Sequence, residues 1–263
     1  MNSTFFTNIS DILNRYGSSL MLGVRTTLIV SLTGTAFGFL IGLLVGGFRA
    51  VKLDYTASRP ARFFKKLFDI IANIYIGIFR GTPMMVQAVF IYYALLNVVH
   101  WDNMTAAIFV ISVNTGAYMS EIIRSGIQAV DPGQTEAARS LGMSNSQAMM
   151  SVVLPQAIRN AFPAIGNELI VNIKDSSVLM IISITELMFQ SKSIAGSTFH
   201  FTETYFIEAM IYLILTTIAT LILNYIEGRL NKRKVSLPQS DTDPNNMKFA
   251  GSPRSSERSS DDF

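Results

Sequence analysis

The sequence predicts an all-α integral membrane protein, a helical bundle of about five transmembrane helices. Three observations carry this. The 263 residues are 49% hydrophobic and only 15% charged, well below the roughly 25% charge of a soluble domain. Five apolar stretches approach or exceed the roughly 20 helical residues needed to span a bilayer core. Sixteen of the 21 Lys and Arg fall in alternate connecting segments, as the positive-inside tendency expects of one orientation.

The elements follow in order. Residues 1–19 form an extracytoplasmic N-terminal segment, polar and mixed in character. Residues 26–48 carry no charge and are too long for a signal-peptide core, so they are the first span. Gly34, Gly38, Gly42, Gly46 and Gly47 fall there largely at i+4 spacing, which lets another helix approach closely within one chain or between chains. Residues 50–66 are basic and broken by Pro60, a connector whose cations suit anionic lipid. Residues 70–99 cannot hold two full spans. They are one span, interrupted at Arg80-Gly81-Thr82-Pro83, and Trp101 suits the outer interface. Residues 105–123 are the third span, with Glu121 near its end. Residues 161–189 are the fourth and contain Pro163, Glu168, Lys174, Asp175 and Glu186. Residues 205–225 are the fifth, clean except for Glu208. Residues 231–263 form a cytoplasmic tail, and its Ser-, Asp-, Asn- and Pro-rich part has too little to bury for a fold.

With the N-terminus outside, segments 49–66, 124–160 and 226–263 lie inside and hold those sixteen cations; the outer segments hold three. The expected location is a multi-pass plasma-membrane protein with a cytoplasmic C-terminus. Absence of Cys excludes thiolate metal sites and a cysteine nucleophile. His100 and His200 are the only histidines, which excludes a histidine-rich metal site. No catalytic or metal site is expected. Ser176-Ser177 beside Lys174 could form a Ser–Lys dyad, but such neighbours are common.

The segment from Asp131 to Pro155 is longer than a connector needs. Asp131-Pro132-Gly133-Gln134 reads as an N-cap, a Pro at N1 and a Gln at N3, a capping-box variant. Gly142 is placed to stop that helix, and Ser144-Asn145-Ser146-Gln147 to cap a second one ending at Leu154-Pro155. Two short capped helices protruding from the membrane are therefore expected. The second helix has no Lys or Arg, which disfavours a DNA-reading helix-turn-helix, and no nucleic-acid partner is expected. A folded loop without a partner and a docking element for a cytoplasmic subunit both stay open on spacing alone.

Glu136-Ala137-Ala138, then Gly142, then Val152-Val153-Leu154-Pro155 resembles the EAA loop of ABC-importer permeases. That pattern is E-A-A, a gap of three, G, a gap of nine, I-x-L-P; Val152 replaces the Ile. Arg80-Gly81-Thr82-Pro83 with Val86-Gln87, Ala117 through Arg124, and Asn167-Glu168 through Ser177 resemble the polar amino-acid branch. The resemblance covers roughly residues 18–230; the permease domain is residues 20–230, with the EAA loop at 131–156. It implies a type I ABC-importer permease fold. It also implies a second permease chain (the same or a similar one), an extracytoplasmic amino-acid-binding protein and a separate ATPase subunit. ATP and Mg belong to that ATPase; this chain, which lacks a phosphate-binding loop, binds no cofactor. By the same resemblance Glu136, Ala137, Ala138, Leu141, Gly142, Met143, Leu154 and Pro155 form the ATPase-coupling loop.

Intramembrane polar groups usually face a bundle interior or a wet path. Candidates for the translocation pathway are Arg80, Thr82, Pro83, Gln87, Asn114, Glu121, Asn167, Glu168 and Lys174, with Asp175 beside them. A zwitterionic amino acid needs a cation such as Arg80 and an acceptor such as Glu121 or Glu168. Each also has an ordinary reading: Glu121 pairs with Arg124, Lys174 with Asp175, and Arg80 reaches an interface. A secondary amino-acid carrier is the main alternative, but no internal repeat is evident and a carrier has no use for the loop.

Overall fold

The computed structural model describes residues 2–51, 53 and 58–231, and these form helices and short connections with no strand among them. The tail from residue 232 and part of the basic connector lie outside the described residues; Asn231 closes the last helix. In chain order the elements are α1 (Asn2–Ala50), α2 (Arg59–Gly81), α3 (Met84–Val99), α4 (Asn103–Gln128), α5 (Pro132–Ser140) and α6 (Asn145–Ala148). They continue with a π segment (Met149–Val153), α7 (Leu154–Asp175), a 3₁₀ segment (Ser176–Ile182), α8 (Leu187–Thr198) and α9 (Phe201–Asn231).

Helix α4 is the centre of the bundle. Its buried face is built from small and β-branched residues, including Ala106, Ala107, Ser112, Thr115, Gly116 and Ala117. The glycine stripe of α1 lies along it. A β-carbon built at Gly34 would stand 2.3 Å from Ile111 Cγ2, and one at Gly42 would stand 2.2 Å from Met119 Cβ. At Gly46 it would meet the Ser120 carbonyl at 2.5 Å. The stripe is thus a seam within one chain. Gly47 alone among these five points to open space.

The same α1 face continues with hydroxyls. Thr27, Ser31 and Thr35 are all buried. The Asn172 side chain of α7 donates to Thr35 Oγ1 at 2.8 Å and to Thr115 Oγ1 at 2.9 Å, and the Asn172 backbone carbonyl accepts from Ser31 at 3.1 Å. One amide therefore joins α1, α4 and α7 where water is excluded, and the donors and acceptors satisfy one another.

Helices Thr4–Ala50, Asn103–Gln128 and Phe201–Leu230 are each long and apolar enough to cross a bilayer alone. Two bent pairs make five crossings if each pair is one span. The second expected span is no straight rod: α2 and α3 meet at 115°. Pro83 has no N–H to continue a ladder, and it pushes Thr82 into extended backbone (φ −126°, ψ 149°). The fourth is also bent, by 58°, between the run Asn145–Ile182 and α8. Ser183 turns there at φ 63°. Glu186, fully buried, then caps α8 by accepting from Met188 N at 2.7 Å and Phe189 N at 2.8 Å.

Two boundaries differ from the sequence expectation. The polar N-terminal flank is helical from Asn2 onward, because its Ile12 and Leu20 pack on Leu187, Ile194 and Ile207. The connector's second half, from Arg59, is already the start of α2, capped by Ser58 with Pro60 in the first turn. Large apolar side chains point outward along α1, α2 and α9, among them Leu40, Leu44, Ile74, Leu221 and Ile222. Such a surface suits hydrocarbon rather than water.

Gly42→Leu should destabilise the bundle by about 1–3 kcal/mol through overpacking, whereas Gly47→Ala should stay within about 0.5 kcal/mol of wild type. Thermal unfolding in detergent checks both; an unchanged midpoint for Gly42→Leu contradicts the seam.

Candidate functional site

The segment after α4 folds as an elbow. Asp131 caps α5 by accepting from Gly133 N at 2.8 Å. The reciprocal half of the expected capping box does not form: Gln134 accepts instead from Gln156 Nε2 of α7 at 3.2 Å. Helix α5 ends in a Schellman arrangement: Met143 N donates to Ala138 O at 3.2 Å and Gly142 N to Arg139 O at 2.9 Å. Gly142 takes φ 85°, a left-handed conformation that glycine adopts without strain. Ser144 and Gln147 then form a full capping box, with bonds of 3.2 and 2.9 Å.

The second helix does not stop at Pro155. It passes through the π segment into α7, so α6, the π segment and α7 form one helical run from Asn145 to Asp175. The reason is the proline. Leu154 N bonds to Met149 O, five residues back, which shifts the ladder register just before the residue that cannot donate. Val153 and Ala157 pack against Ile123, Ile127 and Val130 at the end of α4, with Leu154 beside them. Arg139 reaches Asn145 across the turn.

Within this elbow Ala138 is buried, while Glu136, Ala137 and Gly142 are exposed and Met143 is half-buried. Leu141 is 82% exposed. Leu154 is half-buried and Pro155 exposed.

The pathway candidates separate into three groups. Thr82, Gln87 and Asn114 come together at the α2–α3 break. The Gln87 amide donates to Phe79 O at 2.9 Å, Thr82 O at 2.9 Å and Thr82 Oγ1 at 2.8 Å. Asn114 donates to Gln87 Oε1 at 2.8 Å. Pro83 opens the break as the N-cap of α3. Gln87 and Asn114 are both buried. Their main work is to satisfy carbonyls that the broken helix leaves free.

Arg80 and Glu121 belong to a second group. Glu121 accepts from Arg124 at 2.6 and 3.1 Å and is paired with Arg49, while Arg80 stands 4.0 Å away. Arg49 also donates to Asn73 at 2.6 Å. Arg80 is 45% exposed, its guanidinium 5.5 Å from the Tyr118 ring centre. Glu168 is half-buried on α7. Asn167 and Lys174 form the third group, exposed toward α9 rather than toward the break. They line cavities of about 190 and 270 Å³ with Thr220.

Sequence reasoning missed Asn172, the partner role of Arg49 and the α8-capping role of Glu186. Asn172 was detectable in principle. Thr27, Ser31 and Thr35 stand at i+4 spacing and continue the glycine stripe, a hydroxyl face that a polar side chain of another helix can bond.

Residues 38–232 match the family described as the inner membrane component of binding-protein-dependent transport systems. The chain belongs to that family. It is a permease-type transport subunit that crosses the membrane several times. It is 36% identical over 214 residues to the glutamine transport system permease protein GlnP of Escherichia coli K12, covering 80% of this chain and 92% of that protein. It is 33% identical over 213 residues to the arginine transport system permease protein ArtQ of Bacillus subtilis 168, with the same coverage. A solved amino acid ABC transporter matches with TM-score 0.71 and 37% identity, over 82% of this chain and 96% of that one. The MetNI methionine ABC transporter, at 21% identity and TM-score 0.70, shares the fold. The family membership does not favour the secondary-carrier alternative.

Gln87→Leu takes a donor from the Phe79 and Thr82 carbonyls and leaves the Asn114 amide only its 3.4 Å bond to Phe79 O. A loss of about 1–3 kcal/mol is expected, measured by thermal unfolding in detergent. Full stability would contradict its role at the break.

Proposed function

We propose that this chain is the permease subunit of an ABC importer for a polar amino acid. A separate ATPase subunit that binds ATP and Mg drives it. An extracytoplasmic binding protein delivers the solute, and a second permease chain completes the path. The N-terminal segment lies outside, and the elbow and tail face the cytoplasm, in keeping with the distribution of Lys and Arg.

The observation that carries this reading is the construction of the elbow. It is closed by a Schellman turn and a full capping box, it exposes Leu141, and its second helix continues without a break into α7. Leu141 is a side chain for an apolar groove of the ATPase, and Ala137 is small enough to let that surface approach. The relatives named for glutamine and arginine transport support the amino-acid class. At the path, Arg80 offers the cation for a substrate carboxylate and Glu168 the acceptor for its ammonium. Glu121 is left out of that role because Arg49 and Arg124 already hold it. Thr82, Gln87 and Asn114 frame the break.

Leu141→Asp should keep wild-type thermal stability, because the side chain is exposed in this chain. ATPase co-purification and vanadate-sensitive uptake should fall at least about tenfold, the usual consequence of losing a central apolar anchor. Wild-type association and uptake would overturn the docking role. Uptake of a panel of labelled amino acids, assayed with the cognate binding protein, identifies the substrate. Gly142→Asp, which forces a side chain into the left-handed position, should act in the same direction.

A further inference from the structure

Arginines from three helices gather around one carboxylate. Arg49 of α1 and Arg124 of α4 hold Glu121, Arg124 through bonds of 2.6 and 3.1 Å. Arg80 of α2 stands 4.0 Å from it, beyond hydrogen-bond reach. Asn73, which accepts from Arg49, adds no charge, so Glu121 faces more positive charge than it balances. Among the described residues Arg80 makes no hydrogen bond. The N–H donors of its guanidinium are therefore unspent, in a stretch of chain where unpaired charge is costly.

A ring holds it there. The guanidinium carbon lies 5.5 Å from the centre of the Tyr118 ring, within the roughly 6 Å reach of a cation–π contact. Asn114, Tyr118 and Glu121 stand at i, i+4 and i+7 on α4, so they share one face of that helix. That face meets the break through Gln87, lies under Arg80 at the ring, and presents the carboxylate beyond it. Tyr118 is half-buried, and among the described residues its hydroxyl makes no hydrogen bond. Its contact with Arg80 is the ring face.

An arginine between a ring and a carboxylate has two resting places. Closed on Glu121, its donors are consumed. Kept on the ring, they stay free for a carboxylate that arrives, which a guanidinium can take with two parallel bonds. We propose that Tyr118 is a positioning residue for uptake: its ring keeps Arg80 from closing on Glu121 and holds it open for the α-carboxylate of the amino acid. The proposal rests on the role given to Arg80 above. It assigns this corner to the group that all amino acids share and leaves side-chain choice to other residues.

The test reads Arg80 directly. The permease complex is reconstituted in nanodiscs, which leave both faces open, and treated with phenylglyoxal, a reagent for guanidinium groups. The adduct at Arg80 is followed by peptide mass spectrometry with L-glutamine, L-arginine or their α-carboxamides added. At least one of the two amino acids should protect Arg80, and its α-carboxamide should not. In Tyr118→Leu half-protection should need about fivefold more of that amino acid. Labelling without it should slow as the guanidinium closes on Glu121. Tyr118→Phe, which keeps the ring face, should restore both. Tyr118→Met removes the ring by a second route should the leucine variant not fold, which thermal unfolding in detergent reports.

Wild-type protection and labelling in the variants without a ring overturn the proposal. So does a Tyr118→Phe chain that behaves as Tyr118→Leu does. Wild type left unprotected by both amino acids, or protected equally by the carboxamides, removes Arg80 from the path and this proposal with it. ATP-driven uptake by the wild-type complex is untouched by these outcomes and judges the permease reading by itself.

Discussion

The close approach of α1 to α4 is the contact on which the bundle depends. In hydrocarbon, apolar side chains gain little by leaving lipid for one another, so association rests on van der Waals contact and interhelical hydrogen bonds. The seam supplies both. Glycines bring the two backbones together over successive turns, and where the stripe passes from Gly to Thr and Ser, Asn172 bonds across to α1 and α4. An amide that donates to hydroxyls of both helices ties them together at one level of the seam, where burial makes an unpaired amide costly.

The broken span obeys the same requirement. Non-helical backbone at membrane depth is tolerated only where something satisfies it. Pro83 makes the break, and Gln87, one turn further on, closes it by reaching back to the carbonyls of Phe79 and Thr82. The proline and the glutamine are two halves of one device, and Asn114 orients the glutamine amide from α4. This is why three polar residues can sit near the middle of an apolar chain without being aimed at open water. The charged cluster behaves differently. Glu121 serves two arginines at once, while Arg80 remains nearly half exposed.

Much of this was legible in the sequence, and the reasons are local. Asp131, Gly142 and Ser144 act through neighbours within three to five residues along the chain, so their spacing alone shows where the helices of the elbow begin and end. The glycine stripe announced a close contact but not its partner, because an i+4 pattern describes one face and says nothing of the opposite helix. Residues 70–99 and 161–189 were visible as apolar stretches. Their bends were not, since composition does not encode an angle; Pro83 marked the first, and Ser183 gave no comparable sign. The pathway candidates fared as polar residues in a span generally do. Charge and polarity select them all, but only tertiary contacts divide those that frame a break from those that pair or face α9.

The π segment decides what the elbow can transmit. A proline at position 155 inside a regular α-helix would lose one ladder bond and clash with the carbonyl four residues back, at a cost of about 3 kcal/mol and with a kink. A kink there would disconnect the elbow from α7. By bonding Leu154 to Met149 instead, the chain shifts register ahead of the proline and the helix continues. The helical run from Asn145 through Pro163 is then unbroken. Along that length the run is clamped to the end of α4 through Val153 and Ala157. Under the docking role proposed above, a push on the elbow would act on α4 and α7 together. Those are the helices that Thr115 and Asn172 hold to α1, so motion at the elbow reaches the seam at the centre of the bundle.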